Sequence, residues 1–236
     1  MSSNSTLERE RQESCFDCEA HSRCCFRELP GEALKRFRSH LMIRRYSRGV
    51  TVFWEGDKAT GLFVIRSGWL RLSHVTSEGK AVNLGFVGPG GILGLNEVMS
   101  DCCFATNAEV LDECELEFIQ KRQFLPLLES NPKLAVVLLS VVSREAQKST
   151  AEICAVVGRK PLEERLLSKL QELAAACGRP TAHGIRIKLP FTVQELADSI
   201  GCSRQWATRL LKTLQQQDRI LRQGSWITLK TGQAGH

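Results

Sequence analysis

Phe191-Thr-Val-Gln-Glu-Leu-Ala-Asp-Ser-Ile-Gly-Cys-Ser-Arg-Gln-Trp-Ala-Thr-Arg-Leu-Leu-Lys-Thr-Leu214 carries two short helical periods joined through a glycine. Thr192 with Glu195 three residues on has the form of a capping box, so a first helix is expected to start there with Leu196, Ala197 and Ile200 on its buried side. Gly201 ends that helix. Ser203 is placed to cap a second helix, whose Ala207, Leu210, Leu211 and Leu214 recur at helical spacing and can pack on the first. The opposite face of its first turns shows Arg204, Gln205, Thr208 and Arg209. This is the pattern of a helix-turn-helix. Arg forks onto guanine O6 and N7, Gln can pair with adenine, and the N-terminal turns of such a helix are the ones that reach base edges in the major groove. The plainer reading is a surface helical hairpin with solvated charges, which would require caps, turn glycine, core spacing and groove-facing residues to coincide by accident.

The following stretch, Asp218-Arg-Ile-Leu-Arg-Gln-Gly-Ser-Trp-Ile-Thr-Leu229, places two apolar runs around Gln223-Gly224-Ser225. It predicts a hairpin wing beside the phosphate backbone. Charge points the same way: residues 159–236 hold 13 Lys/Arg against 6 Asp/Glu, a net of +7, while residues 1–158 hold 19 against 20, a net of −1. All of the +6 excess therefore lies with the proposed DNA reader, as neutralisation of duplex phosphates by one domain requires. A membrane surface would also attract such charge, but no run of 18 or more apolar residues exists and the start, Met1-Ser-Ser-Asn-Ser-Thr-Leu-Glu-Arg9, lacks a signal-peptide core. A cytoplasmic location is expected.

Upstream of the reader, Asn131-Pro132 opens a long helical period through Leu134, Val137, Leu138, Val141, Val142, Ala146 and Ile153, running to about Gly158 before Lys160-Pro161 interrupts it. About 25 helical residues span nearly 40 Å. That length suits pairing with a second copy in a homodimer, the alternative being a linking helix packed only on its own domain. Ser140, Ser143, Gln147 and Thr150 make parts of any such seam polar.

Residues 30–120 differ again, with β-branched and aromatic stretches broken by Gly49, Gly56, Gly61, Gly68, Gly79, Gly85, Gly88, Gly90, Gly91 and Gly94. Val50-Thr-Val-Phe-Trp54, Gly61-Leu-Phe-Val-Ile-Arg66 and Trp69-Leu-Arg-Leu-Ser-His74 are strand candidates, and the turn spacing suggests an antiparallel roll or barrel. The expected organisation is α+β: a cysteine-rich segment at 1–29, a sensor roll at 30–130, a dimerisation helix at 131–158 and a winged helix-turn-helix at 159–236.

Arg48-Gly-Val-Thr-Val-Phe-Trp-Glu-Gly-Asp57 followed by Leu62-Phe-Val-Ile-Arg-Ser-Gly-Trp-Leu-Arg71, and later Gly201-Cys-Ser-Arg-Gln-Trp-Ala-Thr-Arg-Leu210, resemble the Crp/Fnr family of bacterial transcription regulators over about residues 15–230. The resemblance implies a cyclic-nucleotide-binding-type β-roll that senses a signal, a long helix that transmits it, and a dimer reading palindromic double-stranded DNA with RNA polymerase as a further partner. Members that hold cyclic AMP place Gly-Glu against the ribose and Arg-Ser against the phosphate. Here the corresponding stretches are Gly94-Leu95 and Phe104-Ala-Thr106, without the Arg. Burying a cyclic phosphate without a cation is costly, so no cyclic-nucleotide site is expected.

Ten cysteines, Cys15, Cys18, Cys24, Cys25, Cys102, Cys103, Cys114, Cys154, Cys177 and Cys202, in a chain expected in a reducing compartment point to metal or redox work rather than structural disulfides. Cys15, Cys18 and Cys24, spaced C-x2-C-x5-C, can turn three thiolates toward one centre, with a fourth supplied from elsewhere. The chain resembles the oxygen-sensing, Fnr-type branch here too, since that branch carries this spacing and a lone fourth Cys in a Phe-Ala…Cys-Glu segment, matched by Phe104-Ala105 and Cys114-Glu115. The likeness implies a [4Fe–4S] cluster bound by Cys15, Cys18, Cys24 and Cys114, which stabilises the DNA-competent dimer until oxygen dismantles it. Alternatives stay open. Cys25 would also serve as third ligand and Cys102 or Cys103 as fourth; zinc suits C-x2-C with His21 or further sulfurs; and a metal-free thiol–disulfide switch is a third reading. Cys154, Cys177 and Cys202 lie in or beside apolar helical stretches and read as small core or surface residues.

At the reader the chain departs from that branch, with Gln205 where Glu is usual and Thr208 where Ser is usual. Exchanging an acceptor-only carboxylate for an amide removes the preference for a cytosine amino group and makes adenine more acceptable. Trp206 reads either as a packing residue or as an indole donor to a phosphate. A regulatory nucleotide-binding subunit of an enzyme would share the roll but need the phosphate Arg and no reader. His21, His40, His74, His183 and His236 are scattered without nucleophile or acid partner, so no catalytic residues are expected.

Overall fold

The computed structural model describes residues 24–158 and 160–230. They form two compact units, residues 24–74 with 86–146 and residues 75–85 with 147–230.

The first unit begins with a 3-10 turn at Cys25–Glu28 and helix α1 at Gly31–Arg38. Phe26 stacks on Phe37 at 4.4 Å between ring centroids, so the turn and the helix hold each other through aromatic contact. The strands follow in chain order as β1 (Met42–Tyr46), β2 (Thr51–Phe53), β3 (Gly61–Ser67), β4 (Leu70–Val75), β5 (Ala81–Val87, whose residues 81–85 group with the second unit), β6 (Ile92–Leu93), β7 (Asn107–Val110) and β8 (Cys114–Gln120). They form two four-stranded sheets, β1-β8-β3-β6 and β2-β7-β4-β5. In both, strands far apart in sequence pair antiparallel, as in Met42↔Phe118 and Thr51↔Glu109. The sequence reading of glycine-punctuated antiparallel strands is therefore met.

Alternation explains which side chains enter the roll. Along β8, Cys114, Leu116 and Phe118 are buried while Glu115 and Glu117 stand between them, and Glu115 accepts from Arg45 Nε across the β1 pair at 2.8 Å. Strand β3 is buried along nearly its whole length. Its Phe63 lies 5.8 Å from Phe53 and 4.8 Å from Phe118, and Phe53 stacks on Phe104 at 3.7 Å.

Gly68 shows why the β3–β4 turn has no side chain. Its φ is +82°, and a Cβ there would stand 2.3 Å from the Glu113 carbonyl oxygen and 2.4 Å from Cys114 Sγ. Gly79 has a similar φ of +77° with open space around it. Gly68→Ala is expected to destabilise the chain by about 2–4 kcal/mol, because strain and overpacking combine, while Gly79→Ala costs about 1 kcal/mol from strain alone. Equal shifts of the urea midpoint in the two variants would show that the close approach at Cys114 is absent.

Helix α2 (Leu95–Ser100) lies between β6 and β7, and α3 (Lys121–Ser130) follows β8. Helix α4 then runs over Pro132–Val157, 26 residues, as its apolar period predicts. Leu134, Val137 and Leu138 join the core of the first unit, whereas Val136 and Leu139 are each 66% exposed and Ile153 is 63% exposed. Among the described residues no single helix is long and apolar enough to cross a membrane.

The second unit contains α5 (Leu162–Cys177), β9 (Arg179–Thr181), β10 (Gly184–Lys188), α6 (Val193–Ile200), α7 (Arg204–Gln216), β11 (Ile220–Gln223) and β12 (Trp226–Leu229). The four strands form one sheet in the order β11-β12-β10-β9. Leu166, Leu170 and Leu173 of α5 are buried with Ile187, Leu196, Ala207, Leu211, Leu214 and Ile227, giving this unit its own apolar interior.

Candidate nucleic-acid interface

The helix pair α6–α7 is fixed by its own termini. Thr192 Oγ1 accepts from the Glu195 N–H at 3.2 Å, and Glu195 Oε2 accepts from the Thr192 N–H at 2.7 Å, so the expected capping box closes in both directions. Gly201 ends α6 at φ +72°, with its N–H donating to the Ala197 and Asp198 carbonyls. Two residues later Ser203 Oγ accepts from the Trp206 N–H at 3.3 Å and caps α7. Leu196, Ala197 and Ile200 on one helix, and Ala207, Leu211 and Leu214 on the other, are buried, while Leu210 is only half-buried. The turn angle between the two helices therefore rests on a glycine and on two interlocking apolar faces.

What remains outside is a polar surface along the first turns of α7. Ser203, Arg204, Gln205, Thr208 and Arg209 are all exposed. Thr208 Oγ1 donates to the Arg204 carbonyl at 2.8 Å, which leaves its methyl group and oxygen lone pairs at the surface. The helix N-terminus adds partial positive charge there. Such a face can accept phosphate oxygens at its start and meet base edges along its first two turns.

Trp206 does not pack into the interior. It is 45% exposed, and the Arg209 guanidinium lies over its ring, 5.8 Å from the centroid. This contact could have been anticipated from the i, i+3 spacing, but nothing in the sequence ranks it above the two roles weighed for that indole.

The wing forms as expected. Strands β11 and β12 pair from Ile220↔Leu229 to Gln223↔Trp226 around a two-residue Gly224–Ser225 turn, with Gly224 at φ +61°. Strands β9 and β10, which sequence reasoning missed, support it: β10 pairs with β12, and Arg186 of β10 sits over the Trp226 ring at 4.5 Å. Two of the wing's cations are engaged within the unit, Arg219 with Glu163 at 3.3 Å and Lys230 with Asp218.

The first unit holds the described part of the expected sulfur set. Cys24, half-buried, precedes the 3-10 turn and packs against the core that contains the buried Cys114. Cys15 and Cys18 lie outside the described residues, as does His21. Among the described residues no three His, Cys, Asp or Glu side chains gather at one point. Cys114 Sγ donates to the Trp69 carbonyl at 3.4 Å, and burial pushes its thiol up to about 11. Sulfur donors are the right chemistry for iron–sulfur ligation, and a bound cation would reverse the effect of burial on Cys114. Cys25 is buried, and Cys102 and Cys103 are both exposed.

Comparison with known proteins agrees with this architecture. Residues 43–131 match the cyclic nucleotide-binding domain family, and residues 164–233 match the Crp-like helix-turn-helix domain family. The cAMP-activated global transcriptional regulator CRP of Salmonella typhimurium is 30% identical over 199 residues, covering 83% of this chain and 93% of that protein. The transcriptional activator protein FnrA of Stutzerimonas stutzeri is 24% identical over 233 residues, 97% of this chain and 93% of its own length. Among solved structures, FixK2 of Bradyrhizobium japonicum superposes with a TM-score of 0.71 at 19% identity, over 80% of this chain and 92% of that one. The regulator CLP of Xanthomonas campestris does so at 0.66 and 23%, over 86% and 100%. A sensor-type roll, a long helix and a capped, winged reader in this order, together with similarity spread over most of the chain, lead to one assignment: the protein belongs to the Crp/Fnr family of DNA-binding transcription regulators.

Proposed function

We propose that this regulator is switched by oxygen or redox state through a [4Fe–4S] cluster held by Cys15, Cys18, Cys24 and Cys114. The observation that carries the reading is the sulfur set itself: C-x2-C-x5-C ahead of the roll, and one further Cys buried within it. When bound, such a cluster supplies an oxygen-labile link between the N-terminal segment and the roll. Everything else is the work of the chain. Cys24 and Cys114 belong to one core, so a group held by both bears directly on the packing that also includes Leu134, Val137 and Leu138 of α4. The exposed Val136, Leu139 and Ile153 of α4 favour pairing with a second copy, as their apolar surface is otherwise left in water. Arg204, Gln205, Thr208 and Arg209 contact base edges, with Ser203 at a phosphate, in each half of a palindromic operator. Switching requires only that the cluster be bound more tightly by the DNA-competent state than by the other.

A nucleotide-gated version is disfavoured by the loop itself. Between Gly94 and Thr106 there is neither Lys nor Arg to meet a cyclic phosphate. The test is to purify the full chain without oxygen, record its visible spectrum with its iron and sulfide content, and follow operator binding as air is admitted. A brown sample that bleaches and loses operator affinity is expected. A colourless zinc protein, or an iron-free protein with equal affinity in both atmospheres, would overturn the reading.

A further inference from the structure

The chain contains two adjacent cysteine pairs, and the structure treats them oppositely. Cys25 of the Cys24–Cys25 pair is 9% exposed, inside the core. Both members of Cys102–Cys103 are exposed, on the loop between α2 and β7. That loop is held on both sides of the pair. Asp101 adopts φ +56° and pairs with Lys121, and the Cys102 N–H donates to the Glu97 carbonyl at 2.9 Å. Cys103 bridges to the backbone of Lys58, and Phe104 exchanges backbone bonds with Gly56 and Asp57, each at 2.9 Å. The Phe104 ring is anchored on Phe53. Two exposed thiols are thus carried by neighbouring residues of a backbone tethered on both sides, with Cys102 Sγ donating to the Ser100 carbonyl at 3.5 Å.

A direct disulfide suits this pair poorly. Adjacent Cα atoms lie about 3.8 Å apart, whereas disulfides need about 4.4 Å or more between Cα atoms and bring the sulfurs to roughly 2.05 Å. A bridging atom relaxes the constraint: two bonds of about 2.3 Å at a tetrahedral angle leave the sulfurs roughly 3.8 Å apart. Zinc would need further ligands, and among the described residues no third His, Cys, Asp or Glu side chain joins the pair. A centre that this pair alone could hold is soft, thiophilic and satisfied by two sulfurs, its remaining valence filled by hydroxide or an organic group.

We propose that Cys102 and Cys103 form a dithiol site for trivalent arsenicals and their antimony counterparts. With phenylarsine oxide, two As–S bonds form, the arsenic-bound oxygen leaves as water carrying both thiol protons, and arsenic stays trivalent. No oxidant is required, and the site is independent of the proposed cluster.

The test uses the full-length reduced protein under anaerobic conditions, titrated with phenylarsine oxide and read by intact mass and fragment-ion localisation. The expected result is a bridge across Cys102 and Cys103 that resists a large excess of a monothiol and is removed by a dithiol, whatever the other cysteines take up. Cys102→Ser and Cys103→Ser should each make arsenic at this loop removable by the monothiol, and the double variant should bind one equivalent fewer. Circular dichroism establishes that each variant is folded. Fragment ions placing arsenic only on other cysteines, or an unchanged stoichiometry in the folded double variant, overturn the proposal.

Discussion

Arg209→Ala is expected to remove operator-specific binding while leaving the chain folded and still weakly attracted to any duplex. Arg209 is exposed, and the Trp206 ring is the contact the structure shows for its guanidinium, so truncation leaves no hole in the interior. Loss of one bidentate Arg–guanine pair costs about 1–3 kcal/mol, and the proposed palindromic operator read by two copies doubles it, so the specific dissociation constant should rise by roughly thirty-fold at least. Non-specific affinity should fall far less, and its salt dependence should lose about one phosphate equivalent per protomer at most. Titrations against operator and scrambled duplexes at two salt concentrations separate these effects. Sequence-selective binding retained by the variant at wild-type strength would remove Arg209 from the reading face.

Cys114→Ser, in the first unit, should have a comparably large effect. If Cys114 is the fourth ligand, the variant isolated without oxygen will hold little or no iron, and its operator affinity will no longer depend on air. The substitution is small, since serine differs from cysteine by one atom in a site already closed by Gly68 and the Trp69 carbonyl. Folding should therefore survive, which circular dichroism can establish. The raised thiol pKa adds a pH signature. At neutral pH the metal-free side chain is a protonated thiol, so ligation must release its proton, and iron uptake should strengthen as pH rises toward about 11. A Cys114→Ser protein that binds iron normally and bleaches in air would transfer the fourth position to another cysteine.

The reader was legible in the sequence because everything that defines it is local. The Thr192–Glu195 capping box, the αL position of Gly201, the Ser203 cap and the Gly224 turn each act within three or four residues, where side chain and backbone chemistry dictate geometry. The long helix was legible for the same reason, its apolar period running unbroken from Leu134 to Val142. Elements that escaped notice lack such signals. Helix α3 contains Pro126, β9 is three exposed residues, and α1 lies in a stretch whose glycines and aromatics read as strand. In the roll the strands were visible but not their partners, because pairings such as Met42↔Phe118 join positions that no local pattern relates.

The sequence by itself determined that this chain reads DNA with a capped helix pair, carries a basic reader beside a near-neutral remainder, and owns more sulfur than a packed core requires. Only the tertiary structure decided which of those sulfurs are buried and which face water. Cys114 and the Cys102–Cys103 pair stand about a dozen residues apart on similar stretches, yet strand alternation sends one inward against Gly68 and a loop turned at Asp101 leaves the others outside. Burial is a property of contacts between distant segments, so the ordering of thiols into a shielded one and an open pair appears only once the sheets have closed.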